Sequence, residues 1–176
     1  MSEVWMVDAV IAQSIDIATP LQEVWSVLID RNKGLIWRSA DFDTDWLPGS
    51  TIGITAYIGH KSYKDKGRVL EVTQPSVLAY EFLPRVSGLP DVPESYSRVT
   101  FRLTPIASGT RLNVEHTVPP SPVRRGKGFE IGPESGEKHV AFYWRSTLPL
   151  LRDLIEERLS PALQMTIAAE TSARGS

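Results

Sequence analysis

From Pro133 to about Leu159 the apolar residues recur at the i, i+3, i+4, i+7 spacing of one helical face. Val140, Trp144, Thr147, Leu148, Leu151, Leu154 and Ile155 fall on one side, while Arg145, Arg152, Asp153, Glu156 and Glu157 fall mostly elsewhere. The spacing predicts a long amphipathic C-terminal helix. Almost everything before it alternates with period two, which predicts short strands that need an apolar partner. This helix is the largest apolar surface available to cover them.

A first strand is predicted over Val10 to Ile17, where Ile11, Ile15 and Ile17 share one side and Ser14 and Asp16 the other. The period changes at Thr19. That residue suits an N-cap, Pro20 the first helical position, and Gln22 the partner in a capping box. Leu21, Val24, Trp25 and Leu28 then form one helical face ending near Asp30 to Asn32, with Gly34 able to stop the helix. From Gly34 to Gly49, Trp37 and Trp46 stand among acidic and small residues, and the reading is a short second helix followed by a turn at Leu47-Pro48-Gly49. Strands follow at Thr51 to Ile58, Lys66 to Val72, Val77 to Phe82, Ser97 to Thr104 and Thr110 to Val118. In the last three, Leu78, Tyr80 and Phe82 oppose Glu81; Val99, Phe101 and Leu103 oppose Arg98, Thr100 and Arg102; Leu112, Val114 and His116 oppose Arg111, Asn113 and Glu115. One face of an antiparallel meander is therefore wet and the other has to be covered.

Two connections exceed what a meander needs: Pro84 to Tyr96, and Pro119 to about Pro133. Rich in Pro and Gly, they read equally as lids over one end or as plain surface loops. After Leu159, Ser160-Pro161 is predicted to break the helix, a weak apolar run continues to Ala169, and a frayed tail runs from Glu170 to Ser176. The organisation is one domain over residues 1–160 with a partly disordered extension over 161–176.

Composition narrows the function classes. At 176 residues and 41% hydrophobic, the chain is long enough for one substantial core. Its 19 basic and 21 acidic residues are scattered and sum to a formal charge of -2, so no electrostatic footprint for nucleic acid or an anionic membrane is present. Arg124, Arg125 and Lys127 form a small basic knot that reads as a solvated loop. The absence of cysteine excludes a disulfide framework, thiolate metal ligands and a cysteine nucleophile. The N-terminus does not read as a signal peptide and no run has the length of a membrane span, so the expectation is a cytoplasmic protein without membrane insertion.

The aromatic residues expected on the covered side are Tyr80, Phe82, Phe101 and Trp144, with Trp37 and Tyr143 beside them. They suit the lining of a small-molecule pocket, while as a plain core they need no ligand at all. His116, in phase with Leu112 and Val114, points inward; it is either a general acid/base or a satisfied core histidine. Glu71 shares a side with Val69 while Arg68, Leu70 and Val72 share the other, so the alternation leaves open whether it is an inward carboxylate of raised pKa or a surface charge. His60, His116 and His139 lack ligand spacing, so no metal site is expected. Neither Gly-x-Gly-x-x-Gly nor Gly-x-Ser-x-Gly occurs, which removes support for nucleotide use and serine-hydrolase chemistry, and no cofactor is expected.

The element order, together with particular stretches, resembles the START-like superfamily and, within it, the Hsp90-ATPase-activator-homologue type. The matching stretches are Ala18-Thr19-Pro20 with Val24-Trp25; Trp46-Leu47-Pro48-Gly49-Ser50; Lys66 to Val72; Leu78-Ala79-Tyr80; Gly88 to Tyr96 leading into Val99-Thr100-Phe101; Gly109-Thr110-Arg111-Leu112; and Trp144 with Leu148 and Leu151. The resemblance covers about Ile11 to Glu157. It implies an α+β helix-grip fold, a curved antiparallel sheet around the C-terminal helix with a cavity between them. It also implies a choice among binders of apolar small molecules, lipid-transfer proteins, aromatase/cyclases and a co-chaperone domain. The sequence departs from the pattern at Pro149, which predicts a kink beside Trp144, and at Pro122 to Gly136, which is longer and richer in Gly. The leading expectation is binding of an apolar aromatic or acyl molecule by Trp37, Tyr80, Phe82, Phe101, His116, Tyr143, Trp144 and Leu148, with the packed core giving way to cavity around Trp144 to Leu148. The alternatives are an aromatase/cyclase using His116 or Glu71, and a chaperone-associated protein-binding module. A homodimer is left open.

Overall fold

A computed structural model describes residues 8–58, 60–119, 124–126, 129–131, 133–158, 164–167 and 169–170. The elements in chain order are β1 (Ala9–Ile17), α1 (Leu21–Leu28), α2 (Arg31–Trp37), β2 (Ala40–Asp43), β3 (Thr51–Ile58), β4 (Lys61–Thr73), β5 (Val77–Leu83), β6 (Ser97–Ile106), β7 (Gly109–Val118), β8 (Arg124–Gly126), β9 (Phe129–Ile131) and α3 (Pro133–Ile155). The first seven strands form one antiparallel sheet in the order β1-β7-β6-β5-β4-β3-β2, and β8 pairs with β9.

Register brings the inward rows together. Val99 lies opposite His116, Phe101 opposite Val114 and Leu103 opposite Leu112, while on the other side of β6 Leu78 lies opposite Phe101 and Tyr80 opposite Val99. Arg98, Arg102, Arg111 and Glu115 alternate with them on the wet face. Against the inward rows lies α3, which touches β1, β7 and α2 and brings Trp144, Leu148, Leu151 and Leu154 into the core. This is the predicted α+β helix-grip arrangement. The helix continues through Pro149, whose missing N–H leaves the carbonyl of Arg145 without its ladder partner.

Three local expectations change. Thr19 is not a cap: α1 begins at Leu21 with extended Pro20 before it and no side-chain cap. Buried Thr19 is committed to β7 instead, its carbonyl accepting the Thr110 hydroxyl at 2.7 Å. The second helix starts earlier than expected, because the Asp30 carboxylate accepts the Lys33 N–H at 2.9 Å and caps α2. Gly34 therefore lies inside a helix that it was expected to precede, with Arg38 Nε only 3.5 Å from where its Cβ would be. Asp30→Ala should lower stability by about 1 kcal/mol in urea unfolding, the usual effect of losing a cap. Finally, β2 stands between α2 and the turn at Leu47-Pro48-Gly49, a stretch expected to hold only a short helix leading to that turn. Ala40 and Phe42 face inward, and Arg31 ties Asp41 (2.7 and 2.8 Å) and Asp43 (3.2 Å) to the start of α2.

The connection after β5 contains two single 3-10 turns, Arg85–Ser87 and Pro93–Ser95, and the one after β7 contains the β8–β9 hairpin. Both leave the same end of the sheet, since β5 and β7 flank antiparallel β6. The break at Ser160-Pro161, the tail beyond Glu170 and the side chains of the basic knot lie outside the described residues. No described helix is long and apolar enough to cross a membrane.

Candidate functional site

The inward rows of β5, β6 and β7 meet α3 with aromatic residues at matching positions. Ring centroids are separated by 6.4 Å between Trp37 and Phe101, 6.4 Å between Phe101 and Tyr80, and 5.7 Å between Phe101 and Trp144. The chain extends from Trp144 to Tyr143 at 5.0 Å, from Tyr80 to Phe82 at 6.0 Å, and from Phe82 to His116 at 5.8 Å. Several pairs are edge-on, the arrangement that ring quadrupoles favour. Leu148, one helical turn beyond Trp144, belongs to the same core. All eight residues expected to line a site thus converge on one place. Phe82 and Tyr143 are half-buried and the other six are buried.

The expected transition from core to cavity at Trp144 to Leu148 is corrected by burial there: Trp144 is 2% and Leu148 3% exposed. Cavities lie elsewhere. One of about 540 Å³ sits on the outer face between β3–β5 and the Asp91 to Tyr96 segment, and another of about 440 Å³ lies between Ala18–Leu21 and Pro105–Gly109.

Burial lowers the pKa of His116 to about 4, so its imidazole is neutral at pH 7. The Trp144 indole N–H donates to His116 Nδ1 at 3.0 Å, which places the ring proton on Nε2. His116 is thereby a hydrogen-bonded core histidine whose Nδ1 lone pair is already engaged. Glu71 lies on the outer face, exposed and accepting the Thr73 hydroxyl at 3.1 Å, so its inward reading is corrected. The cause is a bulge: β4 pairs Val69 with Tyr80 and then Glu71 with Ala79, which skips Leu70 and reverses the phase. Val69 and Val72 therefore face inward while Glu71 faces out. His60 and His139 are exposed, and no group of three or more His, Asp or Glu suited to a metal occurs among the described residues.

Three contributors were not identified from the sequence. Phe42 and Trp46 stack at 6.1 Å and both meet Tyr80, at 5.3 and 6.0 Å. The signal for Phe42 was the alternation Ala40-Asp41-Phe42-Asp43, a strand only four residues long. The third is Arg38, 4% exposed and following directly on α2. Its guanidinium carbon lies 4.3 Å from the Trp37 ring centroid and 4.2 Å from that of Phe42, and its Nη2 donates to the Leu28 carbonyl at 2.8 Å. Arg38 Nε and Nη1 and the Trp37 indole nitrogen, all buried, have no hydrogen-bond partner among the described residues. The Tyr143 hydroxyl donates to the Arg38 carbonyl at 2.8 Å. Burial raises the Tyr143 hydroxyl to about 12 and that of Tyr80 further, so both stay neutral. The interior thus combines a broad aromatic surface with one cation and several unused donors.

The family model for activator of Hsp90 ATPase homolog 1-like proteins matches residues 18–156. Among solved structures, a Cytophaga hutchinsonii protein is 24% identical, with 86% of this chain and 97% of that one covered at a TM-score of 0.66. CalU16 from Micromonospora echinospora is 23% identical over 93% of this chain and 82% of its own, at a TM-score of 0.59. The Aha1 dimer from Colwellia psychrerythraea is 17% identical over 84% and 96%, at a TM-score of 0.60. These likenesses support the fold. No curated protein matches the chain by sequence.

Proposed function

The chain belongs to the activator of Hsp90 ATPase homolog 1-like family, and from that premise we propose that it encloses an apolar small molecule, aromatic or acyl, between the sheet and α3. The observation that carries this reading is the continuous chain of rings from Trp46 through Tyr80 and Phe101 to Trp144, the aromatic lining that small-molecule sites favour. The cluster is close-packed here, Trp144 2% and Leu148 3% exposed, so a ligand enters only as the cluster parts, at its least buried members Phe82 and Tyr143. Phe82 stands beside the sheet end from which both long connections depart, which supports reading the Pro84 to Tyr96 connection as a lid.

Native mass spectrometry of protein purified from its host, followed by solvent extraction, tests the reading. An apolar mass released on denaturation is expected. A bare chain that also takes up no aromatic or acyl compound in calorimetric titration would sink it. The aromatase/cyclase alternative needs a titratable group at the cluster, and His116, neutral and bonded to Trp144, is poorly suited to proton transfer near pH 7. A protein-binding module is suggested by the family's name, and Phe142, 62% exposed on α3, is a large apolar side chain that such a partner could meet. If that reading holds, Phe142→Ser should weaken retention of a chaperone in a lysate pull-down, whereas unchanged retention removes it.

A further inference from the structure

The electrostatics around Arg38 specify what kind of molecule the interior accepts. The Trp37 and Phe42 rings and the Leu28 carbonyl, which touch its guanidinium, are all neutral. The two groups that perturb it electrostatically, Tyr80 and Tyr143, are phenols that burial keeps protonated. Carboxylates nearby in the chain are taken elsewhere, Asp41 and Asp43 by Arg31 and Asp30 by the backbone of Lys33. A buried cation without a counter-charge is unfavourable in a low-dielectric interior, and native proteins hold such groups where something pairs with them. Arg38 Nε carries one N–H and Nη1 carries two; together with the Trp37 indole N–H these donors are buried and unused.

We propose that Arg38, assisted by the Trp37 indole N–H, is an anion-recognition site that holds the carboxylate of an aromatic or acyl acid whose apolar body lies among the rings. This rests on the enclosing reading above and adds the chemical class of the ligand. One cation calls for one negative charge: a monoanion neutralises the interior, whereas a phosphate dianion would leave a buried net negative charge. A carboxylate also matches planar guanidinium donors better than it matches an ammonium point charge. The rings against Arg38 exclude water and favour the cation, which strengthens each hydrogen bond formed there.

Calorimetric titration of the full chain with 2-naphthoate and its neutral counterpart 2-naphthamide tests the proposal, using the wild type, Arg38→Gln and Arg38→Lys. The wild type should prefer the acid by about tenfold to a hundredfold, as charged hydrogen bonds usually give. Arg38→Gln should bring acid and amide to similar affinities, near that of the amide for the wild type, and Arg38→Lys should keep part of the preference. Similar affinities for the two probes in the wild type would overturn the anion site while leaving the enclosing reading intact. A preference that survives in Arg38→Gln would place the anion elsewhere and overturn the assignment. If the wild type binds neither probe, both readings fall. Should Arg38→Gln not fold, the acid-to-amide ratio of the wild type decides alone, with a ratio near one overturning the proposal.

Discussion

Trp144→Ala should lower stability by about 3–5 kcal/mol in equilibrium urea unfolding, the range for removing a large aromatic from a packed core. The ring is 2% exposed and meets Phe101, Tyr143 and His116 at 5.7, 5.0 and 6.1 Å. Truncation empties that volume and also takes away the donor to His116 Nδ1. Trp144→Phe separates the two effects: most of the ring area remains, and the loss should shrink to about 1–3 kcal/mol, the penalty for a buried acceptor left unpaired plus a small volume defect. An unchanged dependence on urea would show that both variants share the native fold's compactness. A loss below about 1 kcal/mol for the alanine variant would mean that Trp144 borders open space, contrary to its burial.

The same ring illustrates why the sheet and the long helix were legible in the sequence. Trp144, Leu148 and Leu151 repeat with the helical period, and Val99-Phe101-Leu103 and Leu112-Val114-His116 alternate over enough residues for the pattern to be unambiguous. Registers then follow, because a one-residue slip would turn each of these rows to water. Short elements carry no comparable signal. Four residues of β2 show only two inward positions, Ala40 and Phe42. Thr19 had the chemistry of a cap, but a contact ninety-one residues away, the hydroxyl of Thr110 on its carbonyl, fixes its backbone otherwise. Gly34 looked like a stop and instead leaves room on α2 for the side chain of Arg38.

For the candidate site, legibility followed the same division. Tyr80, Phe82, Phe101, His116, Trp144 and Leu148 were legible because each sits in phase on a long element, whereas Trp37 ends the seven-residue α2 and Tyr143 flanks the apolar stripe of α3. Glu71 was not resolvable, since the extra residue at Leu70 shifts the alternation of β4 and no residue type there announces a bulge. Arg38 was missed because an arginine between a short helix and a short strand reads as a surface residue. Its burial is a product of tertiary packing, by Phe42 from β2 and by the carbonyl of Leu28 at the end of α1. Arg38, on which the proposed anion site rests, is thus the residue that no local pattern could reveal.

Between pH 6.5 and 4, His116 and Asp65 should pull stability in opposite directions, and single substitutions should separate them. The folded-state pKa of His116 is lowered from 6.5 to about 4 by burial, so the unfolded chain binds the extra proton across this interval. Its contribution is complete above pH 6.5 and is lost as the pH falls through about 4. At about 1.4 kcal/mol for each pH unit, the full loss approaches about 3 kcal/mol. Asp65 is raised from 3.8 to about 6 by burial, against the Arg85 N–H it accepts at 2.8 Å. There the folded chain binds the extra proton, so acidification from about pH 6 to about 4 adds stability. Urea unfolding across the interval should therefore show a shallow wild-type profile. Asp65→Asn should expose the full His116 decline, and His116→Gln, which keeps an acceptor near the Trp144 indole, should leave stability rising as the pH falls. Three parallel profiles would exclude both groups as the source. A flat Asp65→Asn profile would show that the imidazole is not held neutral in the folded protein, which would return His116 to consideration as a proton-transfer group.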